Sequence, residues 1–262
     1  MNYKEYYKEC RDSYSNNINV EEFYNKPVRI IPETVFDEKY YSFVDVLSCK
    51  VKNEFDSITT NHIMIECQDF WKYEEQVSGI ADYIVPYLES SLYGCYLYVD
   101  KVYIYRTTKI SKRSSSYLWH YDNNPSEIVK NIIYLNDVTN SNSPFEYMAD
   151  NNDNGVIIQP SRTGPNNWRP APNNSRVTME KLFELHKKGY KPKKILGKKG
   201  TTFSFNNDCV HRVNPIKEGY RDVLNIRVKP SLKKIEKYID KRWTSGYDRT
   251  GAVNPNPERI FL

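Results

Sequence analysis

Apolar positions fall into two rhythms along this chain. Between residues 69 and 94 they recur at three- and four-residue steps: Phe70, Tyr73, Val77, Ile80, Ile84 and Leu88. That spacing puts them on one face of a helix. Asp69 is placed to cap its start and Gly94 lies just past its end. Pro86 should kink or shorten the last turn. A second helix is expected over 178–188, with Met179, Leu182, Phe183 and Leu185 apolar and Gly189 as a stop. Elsewhere the pattern is that of strands, rich in aromatic and β-branched residues: 95–106, 117–122, 128–138, 156–159, 201–205, 209–213 and 220–229. Residues 1–30 are polar and Tyr-rich, read as a short helix and then an edge strand. Residues 31–65 carry no clear assignment. The last thirty residues read as a short amphipathic helix and a tail.

Short strands in series predict a mainly β fold with flanking helices. The expected architecture is a jelly roll (double-stranded β-helix, cupin-like), whose interior is wide enough for a ligand. Absence of a linker predicts one domain over 1–262. Its jelly-roll core would be 95–230, with helical and strand support from 1–94 and a helix and tail at 231–262.

Composition narrows the function classes. The net charge is +5, which suits an anionic small-molecule substrate but falls short of the basic stripe of a nucleic-acid binder. Five cysteines, odd in number and without Cys-x-x-Cys, read as reduced thiols. The N-terminal segment lacks an apolar stretch and no run suits a membrane span. A soluble cytoplasmic protein is expected.

The chemistry is carried by His120-Tyr121-Asp122, with His211 far downstream and Arg221 ten residues beyond it. Two imidazoles and one carboxylate on one face are the ligand set that ferrous iron prefers, with the other positions open. On a strand, His120 and Asp122 would project to the same side. A His-x-Asp alone is a weak signal, equally met as a half-buried histidine beside an ordinary acid. Arg221 reads either as a surface cation or as a bidentate clamp on a carboxylate. Arg227 shares its strand parity and is its rival, and Arg212 should point away from the ligands.

Three stretches together resemble a known family. They are Trp119-His120-Tyr121-Asp122, NIIYLNDVTNSNSPFEYM at 131–148, and GTTFSFNNDCVHRVNPIKEGYRDVLNIRV at 200–228. They are similar to the phytanoyl-CoA dioxygenase-like branch of the iron(II)/2-oxoglutarate oxygenases. The resemblance implies a double-stranded β-helix, with His120, Asp122 and His211 as Fe(II) ligands and Arg221 on the distal carboxylate of 2-oxoglutarate. It implies consumption of O2, release of succinate and CO2, and hydroxylation or desaturation of a second substrate. Two departures stand out. Val213 replaces a hydroxyl residue common two positions after the distal His, and Met148-Ala149-Asp150 replaces a glycine-rich segment. The second points to a remodelled substrate loop.

Tyr103, Tyr105 and Thr107 share a parity before the His-x-Asp and are candidates for the cavity wall, Tyr105 and Thr107 toward 2-oxoglutarate and Tyr103 toward substrate, with core packing as the alternative for the tyrosines. The Pro/Asn-rich loop 160–176 is a candidate lid, with Trp168 and Arg169 as substrate contacts. Lys187, Lys188, Lys191, Lys193, Lys194, Lys198 and Lys199 form either a solvated face or a docking surface. The leading expectation is an oxygenase of a small or medium organic molecule. The alternatives are an oxygenase of a macromolecule and a non-catalytic jelly-roll binding module.

Overall fold

The computed structural model describes residues 3–14, 18–59, 64–67, 69–109, 115–122, 124–158, 162–163, 169–170, 175–240, 244–245 and 252–253. Its helices are α1 (Tyr3–Asp12), α2 (Val20–Asn25), α3 (Glu38–Asp56), α4 (Glu74–Leu88) and α5 (Met179–Lys187). Its strands are β1 (Val28–Ile30), β2 (Met64–Glu66), β3 (Tyr96–Thr107), β4 (Val129–Tyr134), β5 (Phe145–Ala149), β6 (Arg162–Thr163), β7 (Arg169–Pro170), β8 (Lys191–Ile195), β9 (Thr202–Asn206), β10 (His211–Val213), β11 (Arg221–Ser231), β12 (Thr244–Ser245) and β13 (Ala252–Val253).

The strands build two antiparallel sheets of a jelly roll. The major sheet runs β1-β9-β4-β11-β3-β13-β12, with β2 also on β3; the minor sheet runs β10-β5-β8. Alternation along β11 sends Val223 between the sheets, where it packs with Ile132, Tyr134, Phe145, Phe203 and Phe205. Leu224 and Ile226 go to the opposite face, where they meet Val44, Leu47 and Val51 of α3 and Val77, Ile80 and Ile84 of α4. The major sheet is therefore covered on both faces. That is why its strands read as nearly unbroken apolar runs rather than strict alternation.

The helix read from residues 69–94 has the expected buried face, since Phe70, Tyr73, Val77, Ile80, Ile84 and Leu88 are all buried. Asp69 does cap, but it caps a 3-10 turn at Phe70–Tyr73 by accepting from the Trp71 amide, and α4 follows. Pro86 is accommodated in the last turn, after which a π-helical turn, Glu89–Tyr93, ends at Gly94 in the left-handed region (φ 62°). Helix α3 fills the stretch that carried no assignment. Asp37 caps it, and Tyr40, Val44, Leu47, Val51 and Phe55 make its buried stripe.

Three expectations are corrected. Residues 117–122 do not form a continuous strand: a 3-10 turn covers Ser115–Tyr117 and His120 makes only isolated bridges. Its partners, Arg176 and His211, lie on opposite sides of the segment, and neither pairing extends into a ladder. Residues 156–158 likewise form no strand, with one isolated bridge from Ile157 to Cys209. No helix forms over 231–240, where β11 ends and bends follow. Among the described residues no helix is long and apolar enough to cross a membrane.

Helices α3 and α4 cross closely at Gly79, where an added Cβ would fall on the Phe43 ring. Alanine normally favours a helix interior, yet Gly79→Ala should destabilise by about 1–3 kcal/mol through overpacking. Urea unfolding would measure it, and a stabilised variant would contradict the close crossing.

A buried ion pair gives a pH-dependent term. Asp100 accepts from Arg227 Nε (2.8 Å) and Nη2 (2.6 Å) and lies 2.9 Å from Lys229 Nζ. Burial opposes its ionisation, but the two cations prevail and hold its pKa at about 2. A depressed carboxylate pKa contributes stability that is complete above the unfolded value and is lost as pH falls through the folded one. The loss should therefore come between about pH 4 and pH 2 and amount to about 2 kcal/mol. Asp100→Asn, weaker overall because it strands two half-buried cations, should lack that slope in unfolding measured at several acidic pH values.

Candidate metal centre

The site is assembled by backbone pairing before any side chain is considered. His120 and His211 exchange two hydrogen bonds, His120 N to His211 O and His211 N to His120 O, each 2.9 Å. On the far side of His120, the Val177 amide donates to Trp119 O (2.9 Å). The Asp122 amide donates to Asn207 O at 2.7 Å. The 118–122 segment is thus threaded between β10 and residues 175–177, and extends the minor sheet without being a regular strand. The side chains of His120 and Asp122 still meet on one side, as the alternation argument required.

The ligand atoms of His120, Asp122 and His211 lie within 4.8 Å of one another. His120 Nε2 is 3.8 Å from Asp122 Oδ1, and His211 Nε2 is 3.7 Å from Asp122 Oδ2. Each imidazole has its Nδ1 2.8 Å from a carbonyl, Leu118 O for His120 and Cys209 O for His211. A carbonyl only accepts, so each Nδ1 carries the proton and each Nε2 presents its lone pair to the triad. Burial pushes both imidazole pKa values down, that of His211 to about 3, so both rings are neutral at pH 7. Burial opposes ionisation of Asp122, but the charge and hydrogen bond of Lys130 hold its carboxyl well below the usual range. Two neutral nitrogens and one carboxylate oxygen form a donor set that fits Fe(II) or a similar divalent ion. His211 is held by aromatic rings, with Phe145 stacked on it (centroids 5.3 Å, 18°) and Phe205 at 4.9 Å.

The triad opens into a cavity of about 240 Å³ between the sheets. Tyr103, Tyr105 and Thr107 of β3 all line it, as do Val213 and Arg221. Register explains the grouping, since Thr107 pairs with Arg221, Tyr105 with Val223 and Tyr103 with Asn225. Arg221 is buried, donating from Nη1 to Ser143 O (2.8 Å) and from Nη2 to Thr107 Oγ1 (3.1 Å). Its Nε has no partner, and no carboxylate pairs with it among the described residues. A buried guanidinium with only neutral acceptors is costly unless a ligand supplies the anion. Its rival Arg227 is outside the cavity lining and is committed to Asp100. Arg212 points away, to Glu146 (2.6 Å) and over the Trp119 ring (4.5 Å), which packs against the cluster of Met148, Val156, Leu185 and Val210.

Other candidates fare differently. Trp168 lies outside the described residues, and of Arg169 only the backbone is described, in the β6–β7 pair. The lysine run is partly neutralised. Lys193 pairs with Asp153, Lys194 reaches Asn140 (3.0 Å) and Glu146 (3.8 Å), and Lys199 pairs with Asp45 (2.6 Å). Sequence reading missed two charged members of the cavity wall, Glu66 and Lys130. Lys130 donates to Asp122 Oδ2 at 2.7 Å. Its signal was present in the sequence as a lysine sharing the parity of Ile132 and Tyr134 in a strongly apolar strand.

No protein-family model matches the chain, and no curated protein sequence does. Solved structures do match in fold. One is HygX from Streptomyces hygroscopicus with nickel and 2-oxoglutarate bound, at 14% identity and TM-score 0.51, covering 83% of this chain and 89% of that one. Another is the epimerase SnoN in complex with Fe3+, alpha ketoglutarate and nogalamycin RO, at 11% identity and TM-score 0.51, covering 97% of both chains.

If the triad is a metal centre, Asp122→Ala should weaken Fe(II) or Co(II) binding by an order of magnitude or more. Anaerobic equilibrium dialysis would check this, and undiminished binding would rule the site out.

Proposed function

We propose that the protein is an Fe(II)- and 2-oxoglutarate-dependent oxygenase that hydroxylates a small or medium organic molecule. The observation that carries this reading is a single cavity with two complementary anchors. A two-histidine, one-carboxylate cluster stands in one wall, and a buried arginine without an anionic partner stands in the same cavity. A short dicarboxylate with an α-keto group satisfies both, chelating the metal at one end and pairing with Arg221 at the other.

In this reading His120, Asp122 and His211 hold the iron, and Arg221, seated by Thr107 and Ser143, fixes the orientation of 2-oxoglutarate. The bound metal and 2-oxoglutarate supply activation of O2, coupled to release of succinate and CO2. Tyr105 lines the same cavity as Asp122 and Arg221. Phe145, Phe203, Phe205 and Ile132 exclude water from the reacting centre. Asp122 occupies the third protein position, which favours hydroxylation or desaturation over halogenation. A cavity of about 240 Å³ has room for 2-oxoglutarate and a compact second substrate. The small-molecule reading is supported further by SnoN, whose structure holds nogalamycin RO. Three of the seven lysines in the run, Lys193, Lys194 and Lys199, face acids, which lessens the support for a polymeric anion.

Anaerobically iron-loaded protein exposed to oxygen should convert 2-oxoglutarate slowly to succinate without a second substrate. His211→Ala should abolish this. Arg221→Ala should raise KM for 2-oxoglutarate by about two orders of magnitude, equivalent to a lost charge-assisted pair of about 3 kcal/mol. Succinate measurement decides, and turnover independent of both residues would overturn the proposal.

A further inference from the structure

A lysine in the interior row of the major sheet needs a reason. Residues 130, 132 and 134 of β4 alternate onto the same face, and Ile132 and Tyr134 belong to the apolar cluster between the sheets. Lys130 occupies the third place in that row, with β9 Phe205 and β11 Arg227 as its cross-strand neighbours. Its backbone is held in ladders on both sides, and its Nζ lies 5.8 Å from the Phe205 ring centroid. Lys130 is half-buried, and an ammonium drawn out of water is costly unless paired. Here the pair is with Asp122, one of the three residues assigned above to the metal.

Both oxygens of Asp122 face the centre of the triad, Oδ1 toward His120 Nε2 at 3.8 Å and Oδ2 toward His211 Nε2 at 3.7 Å. A carboxylate so placed could chelate the ion through both oxygens. An iron that must also take a bidentate keto acid and O2 has no position to spare for a second carboxylate oxygen. We infer that Lys130 is a positioning residue that engages Asp122 Oδ2, keeps the carboxylate a one-oxygen ligand and so preserves the coordination position the co-substrates need. The inference rests on the oxygenase reading. The ladder-fixed strand and the 2.7 Å hydrogen bond are its structural basis.

The test compares the wild-type protein with Lys130→Met and Lys130→Arg, folded state being checked by thermal melting. Metal content is measured first. The Co(II) absorption spectrum then reports coordination number. Anaerobic titration of the Fe(II) protein with 2-oxoglutarate, followed by the visible charge-transfer band of a chelated α-keto acid, gives the dissociation constant. Lys130→Met should retain the metal, show a higher coordination number before 2-oxoglutarate is added, and bind it at least about tenfold more weakly. Lys130→Arg, which retains a cationic donor, should restore most of the affinity. Unchanged affinity and spectrum in Lys130→Met would overturn the inference. Absence of the charge-transfer band in the metal-loaded wild-type protein would instead defeat the 2-oxoglutarate reading, and this inference with it.

Discussion

The reciprocal pair of backbone hydrogen bonds between His120 and His211 brings together segments ninety-one residues apart in sequence. Nothing in the local propensity of either segment would place those side chains together. The pair fixes the two α-carbons opposite each other, and the carbonyls of Leu118 and Cys209 then set each ring through its Nδ1. Both imidazoles are thereby turned with Nε2 inward before any ligand arrives. Asp122 follows because its amide is tied to Asn207, on the turn that leads into β10. A shift by one residue in this pairing would carry a ligand to the wrong side, so the local backbone register is itself a condition of the site.

Charge placement separates the parts that hold the fold from the parts that await a ligand. Arg106 lies between two acids, bidentate to Asp222 (2.6 and 2.8 Å) and bonded to Asp56 (2.5 Å), with its guanidinium 3.8 Å from the Tyr220 ring centroid. It joins the end of α3 to β3 and β11. Arg227 is matched to Asp100, and Arg212 to Glu146. Arg221, on the same strand as Arg227 and more deeply buried, has only a carbonyl and a hydroxyl among the described residues. Since the fold supplies anions elsewhere, their lack at Arg221 is a property of the cavity and not of the sheet.

The sequence revealed most where one residue type at one spacing has few physical readings. The stripe from Phe70 to Leu88 could only be an amphipathic helix, and His120, Asp122, His211 and Arg221 could be picked out because two imidazoles, a carboxylate and a following arginine at that spacing form a recognisable set. The α3 stripe, Tyr40 to Phe55, was equally periodic and went unread because the charged residues between its members hide the pattern. The 117–122 segment was misread as a strand for a different reason. Its extended backbone satisfies its hydrogen bonds with partners on two sides at single positions, a tertiary arrangement that leaves no periodic trace. Lys130 was missed because a lysine in a strand is ordinarily a solvated edge residue. Its significance depends on knowing that both faces of β4 are covered.

That double coverage also explains why this sheet makes a suitable platform. Helices α3 and α4 press on the outer face through Leu224, Ile226 and Ile133, while the aromatic residues Tyr134, Phe145, Phe203 and Phe205 pack the inner one. Strands β3, β4 and β11, which carry Tyr105, Lys130 and Arg221, are central in the sheet and bonded on both sides. The positions of these side chains are therefore set by ladders that cannot slip without exposing one apolar face or the other. The segment that carries His120 and Asp122, by contrast, is held by a few isolated bridges at the rim. The architecture joins a rigid wall that dictates the orientation of a bound anion to a more locally tethered segment that supplies two of the three proposed metal ligands. Lys130, rooted in the wall and bonded to Asp122 on the segment, is where the two parts meet.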